Sequence, residues 1–137
     1  MPLIETDMIF AFLNANDSHH EAAGKLFSQI ESGYEVGLPT SALIEMELIY
    51  KSNNREDDLA SHIANLVAIP NITSLALTPK TVLLSISLRE EYNLSFFDSH
   101  HVATALENDG KLISTDQQYD IIPNLELLDP EKIRNRI

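Results

Sequence analysis

The chain is 137 residues long with 44% hydrophobic content, a size that suits one domain spanning residues 1–137 with an ample core, since two domains would each be too small. Its lack of cysteine excludes a disulfide framework and a thiolate zinc site, and its five scattered histidines make no finger pattern. The net charge of −12, from 21 acids and 9 bases, argues against broad electrostatic binding of nucleic-acid phosphates.

In chain order, Leu3-Ile4 reads as a short buried strand, and Asp7 is placed to cap a helix over the apolar run Met8 to Leu13. The opening residues lack the basic region and long apolar run of a signal peptide, and no later run reaches membrane-spanning length. The expected compartment is the cytosol, with no membrane insertion. After a turn at Asn14-Ala15-Asn16-Asp17, a helix is expected from about His19 to Glu31, capped by Asp17 or Ser18 and ended by Ser32-Gly33. Tyr34 to Leu38 alternates weakly as a strand, and Pro39-Thr40-Ser41 supplies the stop and caps before a helix over Ala42 to Tyr50.

Asn53-Asn54 breaks the chain, Arg55 to about Ala68 has helical periodicity, and Pro70-Asn71 ends it. A strand over Ile72 to Leu77 then leads to a helix from Pro79 to Tyr92. Asp98 opens a further helix over Ser99 to Asn108, and Asp109-Gly110 ends it. Lys111 to Ser114 and Leu125 to Leu128 read as the last two strands. Strands alternating with helices imply an α/β fold with a mainly parallel central sheet covered on both faces.

Acids at strand ends and helix starts collect at one edge of such a sheet. Glu5 and Asp7 follow the first strand, and if the strand continues through them their spacing puts both on one face. Glu45 lies in the apolar stretch Ala42 to Ile49, where it and Glu47 are about 200° apart around a helix, so only one of them can face inward. Asp98 and Asp116 complete the set, with Ser114 two residues before Asp116 to orient a carboxylate or a substrate phosphate. Clustered carboxylate oxygens suit Mg²⁺ or Mn²⁺, which points to metal-dependent hydrolysis. Four of these acids also have an ordinary alternative: Asp7 and Asp98 as helix caps, Glu45 as a solvated surface residue, Asp116 as a turn aspartate. Glu5, directly after a buried strand, is costly unless solvated or coordinated. The His19-His20 and His100-His101 pairs diverge around a helix, so surface or capping roles are expected of them rather than zinc ligation.

These same segments resemble the PIN-domain family, close to the VapC toxin ribonucleases of VapBC toxin–antitoxin pairs and to related stand-alone archaeal members. Ile4-Glu5-Thr6-Asp7-Met8-Ile9, with His19-His20-Glu21-Ala22 downstream, resembles the family's opening strand and helices. Glu45-Met46-Glu47-Leu48 is similar to the helix of the second acid, Phe97 to Ala105 to that of the third, and Leu112-Ile113-Ser114-Thr115-Asp116 to the strand of the fourth. The likeness spans nearly the whole chain, and the Asp98 segment is its most specific part. One departure stands out: Glu5 occupies the family's usual aspartate position and Asp7 the following polar one.

The resemblance implies a three-layer α/β/α fold in which Glu5, Asp7, Glu45, Asp98 and Asp116 hold one or two Mg²⁺ or Mn²⁺ ions and RNA phosphodiester bonds are hydrolysed to leave a 5′-phosphate. It also implies a homodimer and a small basic antitoxin as partner. Bound cations would cancel part of the negative charge, and an acidic surface favours a basic partner. The main rival is an interaction module that keeps the fold while its altered first motif has lost catalysis. A phosphotransfer receiver or phosphatase ranks lower, because no lysine follows a suitable strand.

Overall fold

The computed structural model describes residues 1–135. Among them β1 (Leu3–Ile4) leads to α1 (Thr6–Leu13) and α2 (His20–Glu31), and β2 (Val36–Pro39) to α3 (Thr40–Ser52) and α4 (Glu56–Val67). Next come β3 (Ile72–Leu75), α5 (Pro79–Tyr92), α6 (Phe96–Leu106), β4 (Lys111–Ile113) and β5 (Glu126–Leu128), with 3-10 turns at Gln117–Ile121 and Pro130–Lys132. The strands form one sheet in the order β3-β2-β1-β4-β5, and every pairing is parallel.

The pleat of the strands decides the layering. Leu3, Leu112 and Leu127 are register partners on one face, and Ile4, Ile113 and Leu128 are partners on the other. The first three pack with Leu88, Val102 and Ala103 beneath α5 and α6, while the second three pack with Met8, Leu26, Phe27 and Met46 beneath α1 to α4. Burying each such side chain contributes roughly 1.5–3 kcal/mol, so these two apolar faces supply the main drive for the three layers. The expected α/β/α arrangement is therefore observed, with a wholly parallel sheet.

Local chemistry sets the helix ends. Thr78 and Thr81 form a reciprocal capping box with Pro79 at the first helical position of α5. Ser95 accepts from the Asp98 amide and caps α6, so that helix begins at Phe96 and Asp98 lies in its first turn rather than opening it. Asp7 likewise lies within the first turn of α1, whose cap position is Glu5 with no side-chain cap bond. The first strand ends at Ile4, so Glu5 and Asp7 do not share a strand face. The helix after β2 starts at Thr40, because Pro39 serves as its cap position. His19, not Asp17 or Ser18, holds the cap position of α2, although Asp17 accepts from the His19 amide at 2.8 Å. The 3-10 turn at Gln117–Ile121 has no counterpart in the sequence reading.

Among the described residues no helix is long and apolar enough to cross a membrane. The link from α6 to β4 depends on Gly110, whose φ is +73° and whose amide donates to Ala105 O at 2.8 Å. A Cβ there would stand 2.7 Å from the Asn124 carbonyl oxygen. Gly110→Ala is therefore expected to cost about 1–3 kcal/mol of stability through backbone strain and this clash. Urea unfolding measures it, and an unaltered midpoint would contradict this reading of the turn.

Candidate functional site

The sheet order reverses between β1 and β4, since β2 and β3 lie on one side of β1 and β4 and β5 on the other. Ligands of open parallel sheets bind outside the carboxyl ends of the strands at such a switch point. Ile4 and Ile113 are register partners at those ends, so Glu5-Thr6-Asp7 and Ser114-Thr115-Asp116 emerge side by side. Glu45 arrives on α3 and Asp98 on α6.

Glu5 is the most enclosed of the acids, at 2% exposure. Ser114 Oγ donates to its Oε2 and the Tyr119 hydroxyl to its Oε1. Burial pushes its carboxyl up to about 8, against the two hydrogen bonds, and the nearby charges of Asp7 and Asp98 add to the rise. Tyr119 is itself fully buried, and burial together with the Glu5 carboxylate raises its hydroxyl above the ordinary range.

Asp7 keeps an exposed edge and lines a cavity of about 400 Å³ with Thr115 and Asp116. Partial loss of water and the charges of Asp98, Glu45 and Asp116 hold its carboxyl above the usual value. Glu45 is half-buried, while Glu47 is exposed. Burial alone would raise the Glu45 carboxyl, but hydrogen bonds from His101 and Thr6 outweigh it and hold it below its ordinary value. Asp98 and Asp116 are joined through Gln118, whose Nε2 donates to Asp98 Oδ2 at 3.3 Å and to Asp116 Oδ2 at 2.6 Å. The Gln118 amide nitrogen also donates to Asp116 Oδ1 at 3.0 Å, and the Asp116 amide to Ser114 Oγ at 3.0 Å.

His101 underlies this cluster and is fully buried. Its Nε2 lies 3.1 Å from Glu45 Oε1 and 3.0 Å from Thr6 Oγ1, and its Nδ1 lies 2.9 Å from Ser41 Oγ. A carboxylate only accepts, so Nε2 carries a proton, and in the neutral ring Ser41 donates to Nδ1. One imidazole thus ties α1, α3 and α6 together. The expected surface or capping role is wrong for both histidines of this pair. His100 is also buried, with Nδ1 donating to Phe96 O at 2.7 Å and Nε2 at 3.3 Å from Ser85 Oγ on α5. His19 is exposed, and His20 Nδ1 donates to the Ala11 carbonyl at 2.7 Å, as the capping role requires.

The sequence reading passed over His101, Tyr119, Thr6, Ser41 and Gln118. A signal for His101 was present, because Asp98 and His101 are three apart and share a helix face. Asp7, Glu45, Asp98 and Asp116 offer oxygen donors of the kind a hard divalent cation takes. Among the described residues no group of three or more His, Asp or Glu side chains stands at ligand spacing. The Gln118 amide occupies the gap between Asp98 and Asp116 with a donor, where a cation would be attracted for the same electrostatic reason.

The fold is that of a PIN domain. The PIN domain family profile matches residues 3–125, and the chain belongs to that family. Among solved structures, VapBC2 from Rickettsia felis bound to a promoter DNA fragment aligns with a TM-score of 0.72 at 13% identity, covering 92% of this chain and 96% of that one. FitAcB from Neisseria gonorrhoeae aligns at 0.71 and 15%, covering 97% and 100%. Mycobacterium tuberculosis VapC20, described as a sarcin-ricin loop cleaving toxin, aligns at 0.67 and 15%, covering 82% and 87%. At these identities the likeness is one of fold. A search among curated proteins finds no match to the chain.

The raised carboxyl of Glu5 has a stability consequence of definite sign. Folded Glu5 holds its proton more tightly than the unfolded chain does, so its contribution is fully present below pH about 4.5 and is lost as pH rises through about 8. Asp7 acts in the same direction. With a chelator present, stability in urea should therefore fall across this window, with a slope of up to about 1.4 kcal/mol per pH unit from Glu5. Glu5→Gln should flatten the profile, and an equally steep profile in that variant would contradict the assignment.

Proposed function

We propose that this chain is a Mg²⁺- or Mn²⁺-dependent endoribonuclease of the VapC toxin type, acting in the cytosol. The observation that carries this reading is the gathering of Asp7, Glu45, Asp98 and Asp116, from four separate segments, at the switch point of a parallel sheet. These four side chains would hold the cation, with Glu5 buried behind them. The cation, when bound, supplies a lowered pKa for an attacking water and charge stabilisation at the leaving oxygen. The chain's own part is positional. His101 fixes the rotation of Glu45, Gln118 and Ser114 fix the Asp116 turn, and the open cavity beside Asp7 admits a phosphodiester. Ser114 is committed to Glu5 and to the Asp116 amide, so it orients the carboxylates rather than the substrate phosphate.

RNA as substrate is supported by the description of the M. tuberculosis neighbour as a toxin that cleaves the sarcin-ricin loop. A basic antitoxin partner is supported by a fold neighbour described as a toxin–antitoxin complex from Klebsiella pneumoniae, at a TM-score of 0.66 and 18% identity, and by the charge of −12. A homodimer is supported by apolar side chains left in water on three helices: Leu48, Leu83 and Phe96, at 53%, 70% and 58% exposure. The rival reading, an interaction module without catalysis, draws on the lack of a closed ligand set among the described residues and on Glu5 in the usual aspartate position.

Cleavage of structured RNA in Mn²⁺, with and without chelator, separates the two readings. Asp98→Asn and Asp116→Asn should each reduce cleavage by about 100-fold or more while circular dichroism stays unchanged, since each removes a charge and preserves shape. Glu45→Gln should also lose activity and the exposed Glu47→Gln should keep it. Chelator-resistant cleavage, or full activity in both aspartate variants, would contradict the proposal.

A further inference from the structure

The sequence leads to Glu5 as a cation ligand, but its surroundings assign it other work. Both carboxylate oxygens are engaged, Oε2 by Ser114 and Oε1 by Tyr119, and the side chain is almost wholly enclosed. Tyr119 is at 0% exposure and packs among Leu3, Leu112 and Ile122. Ser114 in turn accepts from the Asp116 amide. A continuous run of hydrogen bonds therefore leads from the cap position of α1, one residue beyond β1, to the turn that carries Asp116 after β4. Asp7 stands differently: the residue keeps an exposed edge and lines a cavity shared with Asp116.

Resting on the metal-dependent reading above, we infer that Glu5 is a positioning residue, clamped by Tyr119 and Ser114 to set Asp7 against Asp116, and that Asp7 contacts the divalent cation in its place. The length of the side chain is the reason glutamate serves here. Its extra methylene carries the carboxyl group one bond farther from the backbone than aspartate would, so shortening it is expected to draw the group away from both hydroxyls. Charge is not what the clamp needs. A glutamine in this position accepts from one hydroxyl through its oxygen and donates to the other through its nitrogen, so it preserves both contacts.

A ligand and a clamp respond oppositely to the two conservative changes, which makes the roles separable. Mn²⁺ binding is measured by calorimetry on the full chain and on Glu5→Gln, Glu5→Asp, Asp7→Asn and Tyr119→Phe, with circular dichroism to verify folding. The clamp predicts that Glu5→Gln stays within about threefold of the wild-type Kd, while Glu5→Asp and Tyr119→Phe each weaken Mn²⁺ by about tenfold, the usual scale for a supporting contact behind a metal ligand. Asp7→Asn weakens it by about tenfold or more. Glu5→Gln losing Mn²⁺ as severely as Asp7→Asn, or Glu5→Asp binding at least as tightly as wild type, overturns the inference and restores Glu5 as a ligand. If Glu5→Asp does not fold, Glu5→Gln and Tyr119→Phe still decide. A wild-type chain that binds no Mn²⁺ overturns the metal reading itself, a failure distinct from wild-type binding that Glu5→Gln destroys.

Discussion

The constraint on which this molecule turns is the mutual repulsion of acids gathered at one sheet edge. Two like charges 4 Å apart repel by about 4 kcal/mol at an effective dielectric constant of 20, and a whole domain is stable by only about 5–15 kcal/mol. A few unrelieved pairs would rival the entire stability of the fold. The structure answers with hydrogen-bond donors, His101 at Glu45 and Gln118 between Asp98 and Asp116, and with a proton that buried Glu5 holds up to about pH 8. Among the described residues every buried polar side-chain atom has a partner. Relief by donors keeps the acids in place, and the residual repulsion is what would draw in a cation.

The rest of the architecture serves that edge. Short parallel strands with two apolar faces bury themselves between helical layers, which leaves their ends to carry chemistry, and open parallel sheets bind ligands at the carboxyl ends. The reversal of strand order beside β1 opens the crevice there, and α3 and α6 bring Glu45 and Asp98 to it from different layers. His101 is the bolt between those layers. Its ring is held by side chains from α1 and α3 while its backbone belongs to α6, so one buried imidazole links three helices that apolar packing brings together.

The elements were legible because their signals are local. Buried strands such as Leu112-Ile113 and punctuation such as Asp109-Gly110 or Pro70-Asn71 declare themselves within a few residues. Helix starts were displaced wherever a cap competed with an acid, as at Ser95 against Asp98, because both residue types favour the same positions. By helix geometry alone the inward face of Glu45 was one of two choices, since its neighbours are apolar all round, and the family resemblance selected it over Glu47. His101 was hidden by its own pairing with His100, which invited a test for zinc and drew attention from the helix face it shares with Asp98. Tyr119 carried no signal at all: its clamp on Glu5 joins residues 114 apart in sequence, and no periodicity reports a contact of that kind.

Whether a divalent cation sits among the acids between the ends of β1 and β4 is decided by anomalous scattering from crystals grown with Mn²⁺. A peak is expected about 2–2.3 Å from oxygens of Asp7 and at least one of Asp98 and Asp116, with the Gln118 side-chain amide turned out of the gap. Anomalous density confined to other acidic patches, with Gln118 still bridging Asp98 and Asp116 in saturating Mn²⁺, would contradict that placement.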